Sequence, residues 1–296
     1  MSDHLSEICK SDEIDAVLEC LKRLCPGRAV VIDASSDLKE DEDGGPTLFC
    51  QAANISFESH IVAQHSFGGA WSHQDDDGRT ALHWAVAMQS YSLAGKLISA
   101  PYHALVYSVD HDGASPFLTA CMVGAPIQFL TTILSKAAEQ RRWNVAQQLF
   151  WDSKRGEASV NTEEPLAEHR IAVVNQPDNS GNTPLLHAAS RGRLTIVSFL
   201  LQSGAFIAHT NKRGQSALHR AIGRGSLDVV EELVGASRKR HTEVEHKRWI
   251  NLQDYRGDTA LFYASMDNNE ELGRYLLRQG ADRNVRNKEG KEFWEV

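Results

Sequence analysis

The sequence predicts an all-α fold, a solenoid of about seven helix-turn-helix repeats with β-hairpin-like tips. One short pattern carries this prediction: a turn with glycine, then Thr or Ser, a small residue or proline, an apolar residue, and alanine three residues further on. The copies are 33, 35, 68, 33 and 43 residues apart, which gives a base period of 33. A content of 42% hydrophobic and 24% charged residues excludes wholesale disorder. The six copies begin at Thr47, Thr80, Ser115, Thr183, Ser216 and Thr259.

The fourth copy shows why each repeat should fold into two helices. Thr183 is expected to cap the first helix, and Pro184 follows at a position where its missing N–H costs nothing. The small Ala188 lets a second helix pack closely. Gly192 is expected to separate the two helices, and Gly204 to end the second one.

The second helix of this copy carries an apolar stripe. Leu194, Val197, Leu200 and Leu201 fall at offsets of 0, 3, 6 and 7, which places them on one helical face for stacking on neighbouring repeats. The period of 33 is that of ankyrin repeats, and residues 181–205 closely resemble the ankyrin consensus.

These features predict a single solenoid over residues 1–296, with a first repeat at about 1–43. Further repeats are expected to start near residues 44, 77, 112, 180, 213 and 256. Two insertions interrupt the period, at about 136–170 and 237–246, and residues 289–296 form a partial eighth unit. That last unit lacks the polar cap that terminal repeats normally need, so we expect it to fray or to be covered by a partner.

The insertions leave alternatives open. The larger one is expected to extend an outer helix and then loop back, with Trp143 and Trp151 packed on the repeat's own outer surface or, alternatively, forming a partner site. The smaller one contains a basic run from Arg238 to Arg240, followed by His241. We interpret this run as a solvated loop, and a nuclear localisation signal is the alternative.

Charge and cysteine content restrict the possible partners and compartment. The chain has 31 Lys+Arg against 39 Asp+Glu, a net charge of −8, so neither nucleic acid nor a membrane surface is an expected partner. Five cysteines without a C-x-x-C pair, and no signal peptide, indicate a cytosolic or possibly nuclear protein. We expect a monomer.

The sequence contains none of the common nucleotide-binding, zinc-protease or hydrolase motifs, and we expect no enzyme activity and no cofactor. The run from Asp75 to Asp77 is interpreted as a hairpin turn and not as a cation site. An enzyme or metal protein that uses the larger insertion remains an alternative. Its ligands would be Glu163, Glu164, Glu168 and His169.

Three histidines near the first helices have different expected roles. His83 and His219 follow the first leucine of their repeats, and we expect each to bond the backbone of the adjoining turn. His187 lies one position later and is expected to face solvent.

The tips and first helices should line one binding face, because residues three and four apart share a helical face. The N-terminal half offers mainly acidic side chains, and the C-terminal half mainly basic ones. Large side chains on the same face could act as anchors, although Trp84 and Tyr263 could instead bridge adjacent helices as core. The predicted partner-binding residues are Glu7, Asp43, Asp76, Asp77, Arg79, Trp84, Met88, Asp112, Met122, Arg191, Lys212, Arg213, Arg220, Arg224, Tyr255, Arg256 and Tyr263.

Three blocks resemble the gankyrin-type family of seven-repeat proteasome chaperones. They are residues 76–84, residues 217–227 and residues 250–262. The resemblance implies a non-enzymatic assembly chaperone of the 26S regulatory particle, whose concave face binds the C-terminal domain of one AAA ATPase subunit of the base. The two insertions and the long first connection depart from this family. An ankyrin adaptor, or a scaffold resembling kinase inhibitors with another protein client, is the alternative.

Overall fold

The computed structural model describes residues 74–99, 104–154 and 165–295. The chain divides into two compact units, residues 1–169 and residues 170–296. The first unit contains the helices α1 Ala81–Ala87, α2 Tyr91–Ile98, α3 Pro116–Val123 and α4 Ile127–Lys154, and α5 Leu166–Val174 crosses the boundary. The second contains α6 Pro184–Ser190, α7 Leu194–Gln202, α8 Ala217–Ile222, α9 Leu227–Arg240, α10 Glu243–Ile250, α11 Ala260–Met266, α12 Glu270–Arg278 and a 3-10 helix at Phe293–Glu295.

Each first helix begins at a Thr or Ser in extended conformation, as the repeat pattern predicts. Ser115 and Thr183 accept the backbone N–H three residues later, and proline follows each of them. Thr80 and Ser216 form a capping box in which the third helical residue is a histidine. In these four helices the cap side chain satisfies one of the free N–H groups at the helix start. Thr259, before α11, makes no cap hydrogen bond, and its Oγ1 is buried without a partner.

The helices pack in pairs, and successive pairs stack on each other. In the first unit α1 packs on α2 and α3, and in the second α8 packs on α6, α9 and α11. Val197, Leu200 and Leu201 are buried in α7, as predicted, but Leu194 is 38% exposed. The residue that completes the buried face is Ile196, because a helix that packs on two neighbours buries a wider arc than a single stripe.

The larger insertion does extend a helix, since α4 has 28 residues. Trp143 is 65% exposed, so the expectation that it packs on the repeat's own surface is wrong. The side chain of Trp151 lies outside the described part. Among the α4 side chains that are described, which end at Trp143, the last buried ones are Ala137 and Ala138.

The smaller insertion is helical, so the interpretation of residues 237–246 as a solvated loop is wrong. The basic run forms the last turn of α9, and α10 begins at a third capping box, between Thr242 and Glu245. The Arg240 guanidinium donates to the backbone carbonyls of Leu201 and Ala205 at the end of α7. Arg240 of the basic run thus bonds backbone carbonyls at the C-terminus of α7.

The tips are tight turns rather than strands. Among the described residues the only β-type pairings are two isolated antiparallel bridges, Thr210 with Ser216 and Gln253 with Thr259. The 3-10 helix Phe293–Glu295 packs on α11. None of the described helices, the 28-residue α4 included, combines the length and apolarity needed to cross a bilayer. The single solenoid and its repeat limits stay predictions.

Candidate protein-binding surface

One polar residue organises each tip. In the Asp75 turn, Oδ1 accepts the backbone N–H groups of Asp77 and Arg79 at 3.1 and 2.8 Å. The same pair of bonds, to the residues two and four positions later, recurs in the other tips. The organising residues are Asp75, Asp110, Asp178, Asn211, Asp254 and Asn287.

Backbone hydrogen bonds join consecutive tips within each unit. His111 N–H donates to Asp77 O at 2.8 Å in the first unit. In the second, Lys212 N–H donates to Ser180 O at 3.0 Å and Tyr255 N–H to Arg213 O at 3.0 Å. The tips therefore form a connected ridge in each unit, and the spacing between their side chains is set by the backbone.

The second carboxylate oxygen of three tips is bonded to the side chain nine residues later. Trp84 Nε1 donates to Asp75 Oδ2 at 2.7 Å, and Tyr263 Oη donates to Asp254 Oδ2 at 2.9 Å. The Nε2 of His187 lies 2.8 Å from Asp178 Oδ2. This recurring contact ties the first helix to its own tip.

His187 therefore does not face solvent, and that expectation is wrong. Its side chain is half-buried and paired with Asp178, the partner that the sequence reading did not consider. Burial acts to raise the pKa of Asp178, but the hydrogen bonds from His187 and Asn182 outweigh burial and bring the pKa below its ordinary value.

His83 and His219 bond the backbone of the adjoining tip, as predicted. Nδ1 of His83 accepts the Thr80 N–H at 3.1 Å, which leaves Nε2 as the protonated nitrogen that donates to Ala114 O at 3.1 Å. In His219 the corresponding Nε2 contact reaches Asp258 O at 3.3 Å. Burial lowers the pKa of both histidines, which favours the neutral imidazole that these hydrogen bonds require.

Trp84 and Tyr263 are half-buried, and their polar atoms are already bonded to the tips. The guanidinium of Arg79 lies 5.2 Å above the Trp84 ring, and His219 contacts the Tyr263 ring edge-on at a centroid distance of 5.3 Å. Burial raises the pKa of Tyr263 to about 12. Tyr263 thus links two repeats, since the Gln215 amide also donates to its Oη at 2.7 Å, whereas the contacts of Trp84 lie within its own repeat. The role of both side chains as partner anchors stays a prediction.

In the first unit the predicted acidic residues lie on the surface. Asp76, Asp77 and Asp112 are exposed, and Arg79 pairs with Asp77 at 3.1 Å. Arg79 also lies 3.7 Å from Asp110, so it links two tips. The half-buried methionines on this unit are Met88 and Met122. The predicted residues Glu7 and Asp43 lie outside the described residues.

In the second unit the predicted basic residues are largely exposed. They are Arg191, Lys212, Arg213, Arg224 and Arg256, with Arg220 half-buried. Tyr255 is 53% exposed, and the guanidinium of Arg256 lies 5.9 Å from the centre of its ring. The continuous gradient from acidic to basic along one face stays a prediction.

A pocket of about 510 Å³ concentrates this positive charge. Its lining consists of Ser190, Arg191, Arg193, Arg220 and Arg224. The Nε atoms of Arg193 and Arg220 are buried and have no hydrogen-bond partner. Arg193 was not among the predicted residues, because it lies at the N-cap of α7, outside the tips and first helices. Two arginines flanking Gly192 in the turn between α6 and α7 were the signal available.

The alternative of a metal site in the larger insertion gains no support from the described residues, which contain no group of three His, Cys, Asp or Glu side chains suited to a metal ion. Glu168 is exposed and His169 is buried, both on α5. Glu163 and Glu164 lie outside the described residues.

Comparison with known proteins places the repeats in a family. The model for "Ankyrin repeats (3 copies)" matches residues 131–243 and 208–287. The chain is 26% identical to the "Probable 26S proteasome regulatory subunit p28" of Saccharomyces cerevisiae over 234 residues, 78% of this chain and 84% of that subunit.

Other matches are less specific. The "Phosphocholine transferase AnkX" of Legionella pneumophila is 25% identical over 232 residues, which are 74% of this chain and 24% of that enzyme. The solved ankyrin repeat domain of Bcl-3 matches with a TM-score of 0.52 and 24% identity, over 75% of this chain and 79% of that domain, a likeness of fold. Because the family model spans more than half of the 296 residues, the chain belongs to the ankyrin-repeat family, whose stacked repeats serve as protein-binding scaffolds.

Proposed function

We propose that this ankyrin scaffold is a non-enzymatic chaperone for assembly of the 26S proteasome regulatory particle. In this proposal its concave face binds the C-terminal domain of one AAA ATPase subunit of the base. Occupying that domain would hinder premature docking of the subunit on the core particle. The protein would act as a monomer in the cytosol and possibly the nucleus.

One observation supports this choice above other protein clients. The similarity to the yeast 26S regulatory subunit extends over 84% of that subunit, so it covers most of that protein and not a single consensus motif. The match to AnkX, by contrast, spans 24% of that enzyme and so supplies a likeness of repeats alone.

The charges of the second unit support a protein client with an acidic surface. Arg191, Lys212, Arg213 and Arg224 are exposed, and the described residues provide none of them with a carboxylate within 4.0 Å. Unpaired cations of this kind steer an oppositely charged partner and fix its orientation. They add little affinity while they remain exposed to solvent.

The test is binding of the full chain to isolated C-terminal domains of the base ATPase subunits. We expect one subunit to bind, and the double variant Arg220→Glu, Arg224→Glu to weaken this binding at least about tenfold, because two attractive contacts become repulsive. A matched control is Arg248→Glu, Arg283→Glu, which makes the same change of net charge at exposed positions outside the pocket. This control should bind like the unaltered chain.

Two results would contradict the proposal. The first is failure of every ATPase domain to bind. The second is recovery of another client from native lysate in place of regulatory-particle ATPases, which would favour an adaptor. Equal loss of affinity in both double variants would leave the ATPase client in place but remove the arginine pocket from the interface.

A further inference from the structure

The pocket in the second unit that four arginines line, called here the arginine pocket, carries positive charge that no carboxylate of the described residues neutralises. Its four guanidinium groups, from Arg191, Arg193, Arg220 and Arg224, surround one volume of about 510 Å³. The described residues provide no carboxylate within 4.0 Å of any of them. The four positive charges repel each other, which costs free energy, and a bound anion would remove this repulsion.

Arg193 and Arg220 each also have one buried nitrogen, Nε, that makes no hydrogen bond within the described residues. Both are N–H donors shielded from solvent and without an acceptor. Buried donors in folded proteins are nearly always bonded, so these two show that the protein does not satisfy the guanidinium groups of Arg193 and Arg220. The parts of both groups that line the pocket are available to a ligand with several acceptor atoms.

The tip beneath Arg220 explains why this arginine is unpaired. Arg220 lies nine residues after Asn211, the same offset at which Trp84, His187 and Tyr263 contact their tip aspartates. At this tip the organising residue is an amide, whose Oδ1 is bonded to two backbone N–H groups and whose Nδ2 donates to Asn182 and Gln215. No carboxylate oxygen is present for the guanidinium.

A phosphoryl group fits these donors better than a carboxylate does. It carries a charge of about −1.5 to −2 and three acceptor oxygens, whereas one carboxylate carries one charge and two oxygens. Several planar guanidinium groups can each direct donors at separate phosphoryl oxygens. Nucleic acid is a poorer fit, because it needs a basic track along a series of phosphates, and this chain has a net charge of −8.

We propose that the pocket formed by Arg191, Arg193, Arg220 and Arg224 binds a phosphorylated side chain of a protein partner. The inference rests on the proposed function only in taking this part of the scaffold to be a protein-binding surface. It names the chemical group that the pocket recognises and adds Arg193 to the binding residues.

The experiment uses the full chain and short blocked peptides at constant ionic strength. One peptide carries a single phosphoserine, a second carries serine at that position, and a third carries two adjacent glutamates with a similar charge. Binding is followed through the arginine Nε–Hε signals in NMR spectra. We expect the phosphoserine peptide to bind at least about tenfold more tightly than the diglutamate peptide, and to shift the signals of Arg193 and Arg220.

The variants Arg193→Gln and Arg220→Gln should each weaken phosphoserine binding about tenfold, because each removes a charge-assisted contact. Arg248→Gln is the matched control, exposed and outside the pocket, and should bind like the unaltered chain. Circular dichroism checks folding. If a glutamine variant unfolds, the lysine variants replace it; they keep the charge but lose the planar fork, so they should bind more weakly than the unaltered chain.

Equal affinity for the phosphoserine and diglutamate peptides would overturn the phosphoryl assignment. Tighter binding of a short oligouridylate than of the phosphopeptide would overturn the protein source. Because these titrations contain no ATPase, they can fail while the ATPase domain still binds, and the reverse can also occur.

Discussion

The tip organised by Asp254 and the tip organised by Asn211 have the same backbone hydrogen bonds. They differ in whether they bond a side chain of the first helix that follows, α11 in one case and α8 in the other. Each accepts N–H groups two and four residues later, and each precedes a short first helix. Asp254 has a carboxylate oxygen left over, and Tyr263 is bonded to it. Asn211 has none, and the Nε of Arg220 is buried without a partner.

We infer from this difference that one atom at the tip, the second oxygen of the organising residue, determines whether the side chain nine residues later is bonded to the tip. The amide and the carboxylate are nearly the same size, so the turn tolerates both. They differ in charge and in the number of acceptors, and those are the properties on which a guanidinium depends.

The largest expected effect is the loss of stability when a buried leucine between stacked helices of the second unit is shortened. Leu200→Ala should lower the free energy of unfolding by about 2–5 kcal/mol, because Leu200 is fully buried in α7 between α6 and α9. Leu276→Ala should cost less, since α12 packs chiefly on α11 and its surroundings can relax into the space. Urea melts of both variants measure the difference. Equal losses would show that the two helices are held equally firmly.

Exchanging the tip residues tests the comparison directly. Asp254→Asn should cost about 1–2 kcal/mol, because the Tyr263 hydroxyl loses its charged acceptor. Asn211→Asp should lower the melting temperature, because the Nδ2 that donates to Asn182 and Gln215 is lost. It should also weaken phosphoserine binding about tenfold, since the new carboxylate would occupy Arg220. An Asn211→Asp protein that binds phosphoserine as well as the unaltered chain would break the link between tip chemistry and ligand binding.

The smallest effect concerns acid stability at the Asp178 tip. The pKa of Asp178 is lower in the folded protein than in the unfolded chain, so its contribution to stability is present above the unfolded pKa of about 4 and is lost as the pH falls through the folded pKa. The free energy of unfolding of Asp178→Asn should therefore fall by about 0.5–1 kcal/mol less than that of the unaltered chain, as the pH is lowered from 5 to below the folded pKa of Asp178. Thermal melts across this range measure it, with the exposed Asp267→Asn as control. Parallel acid curves for all three proteins would remove the Asp178–His187 pair from the stability of the fold.

The sequence by itself was sufficient for the repeat and its local structure. The repeat pattern correctly predicted the helix caps, because a cap needs a side-chain oxygen at one fixed position before the helix. The caps are Thr80, Ser115, Thr183 and Ser216. The backbone contacts of His83 and His219 followed for the same reason. These are interactions between residues close together in the chain or one repeat apart, where the period sets the geometry.

The tertiary structure determined burial and side-chain pairing, which the repeat period and residue spacing do not predict. The exposed position of Leu194 and the helical form of residues 237–246 depend on which neighbours each helix meets. His187 pairs with Asp178, and Arg193 and Arg220 line the same pocket. Helical periodicity shows which face of a helix a residue is on, but it does not predict either of these contacts. Burial and charge pairing depend on distances in space. For this chain, those distances determine which of its many surface arginines are left without an acceptor.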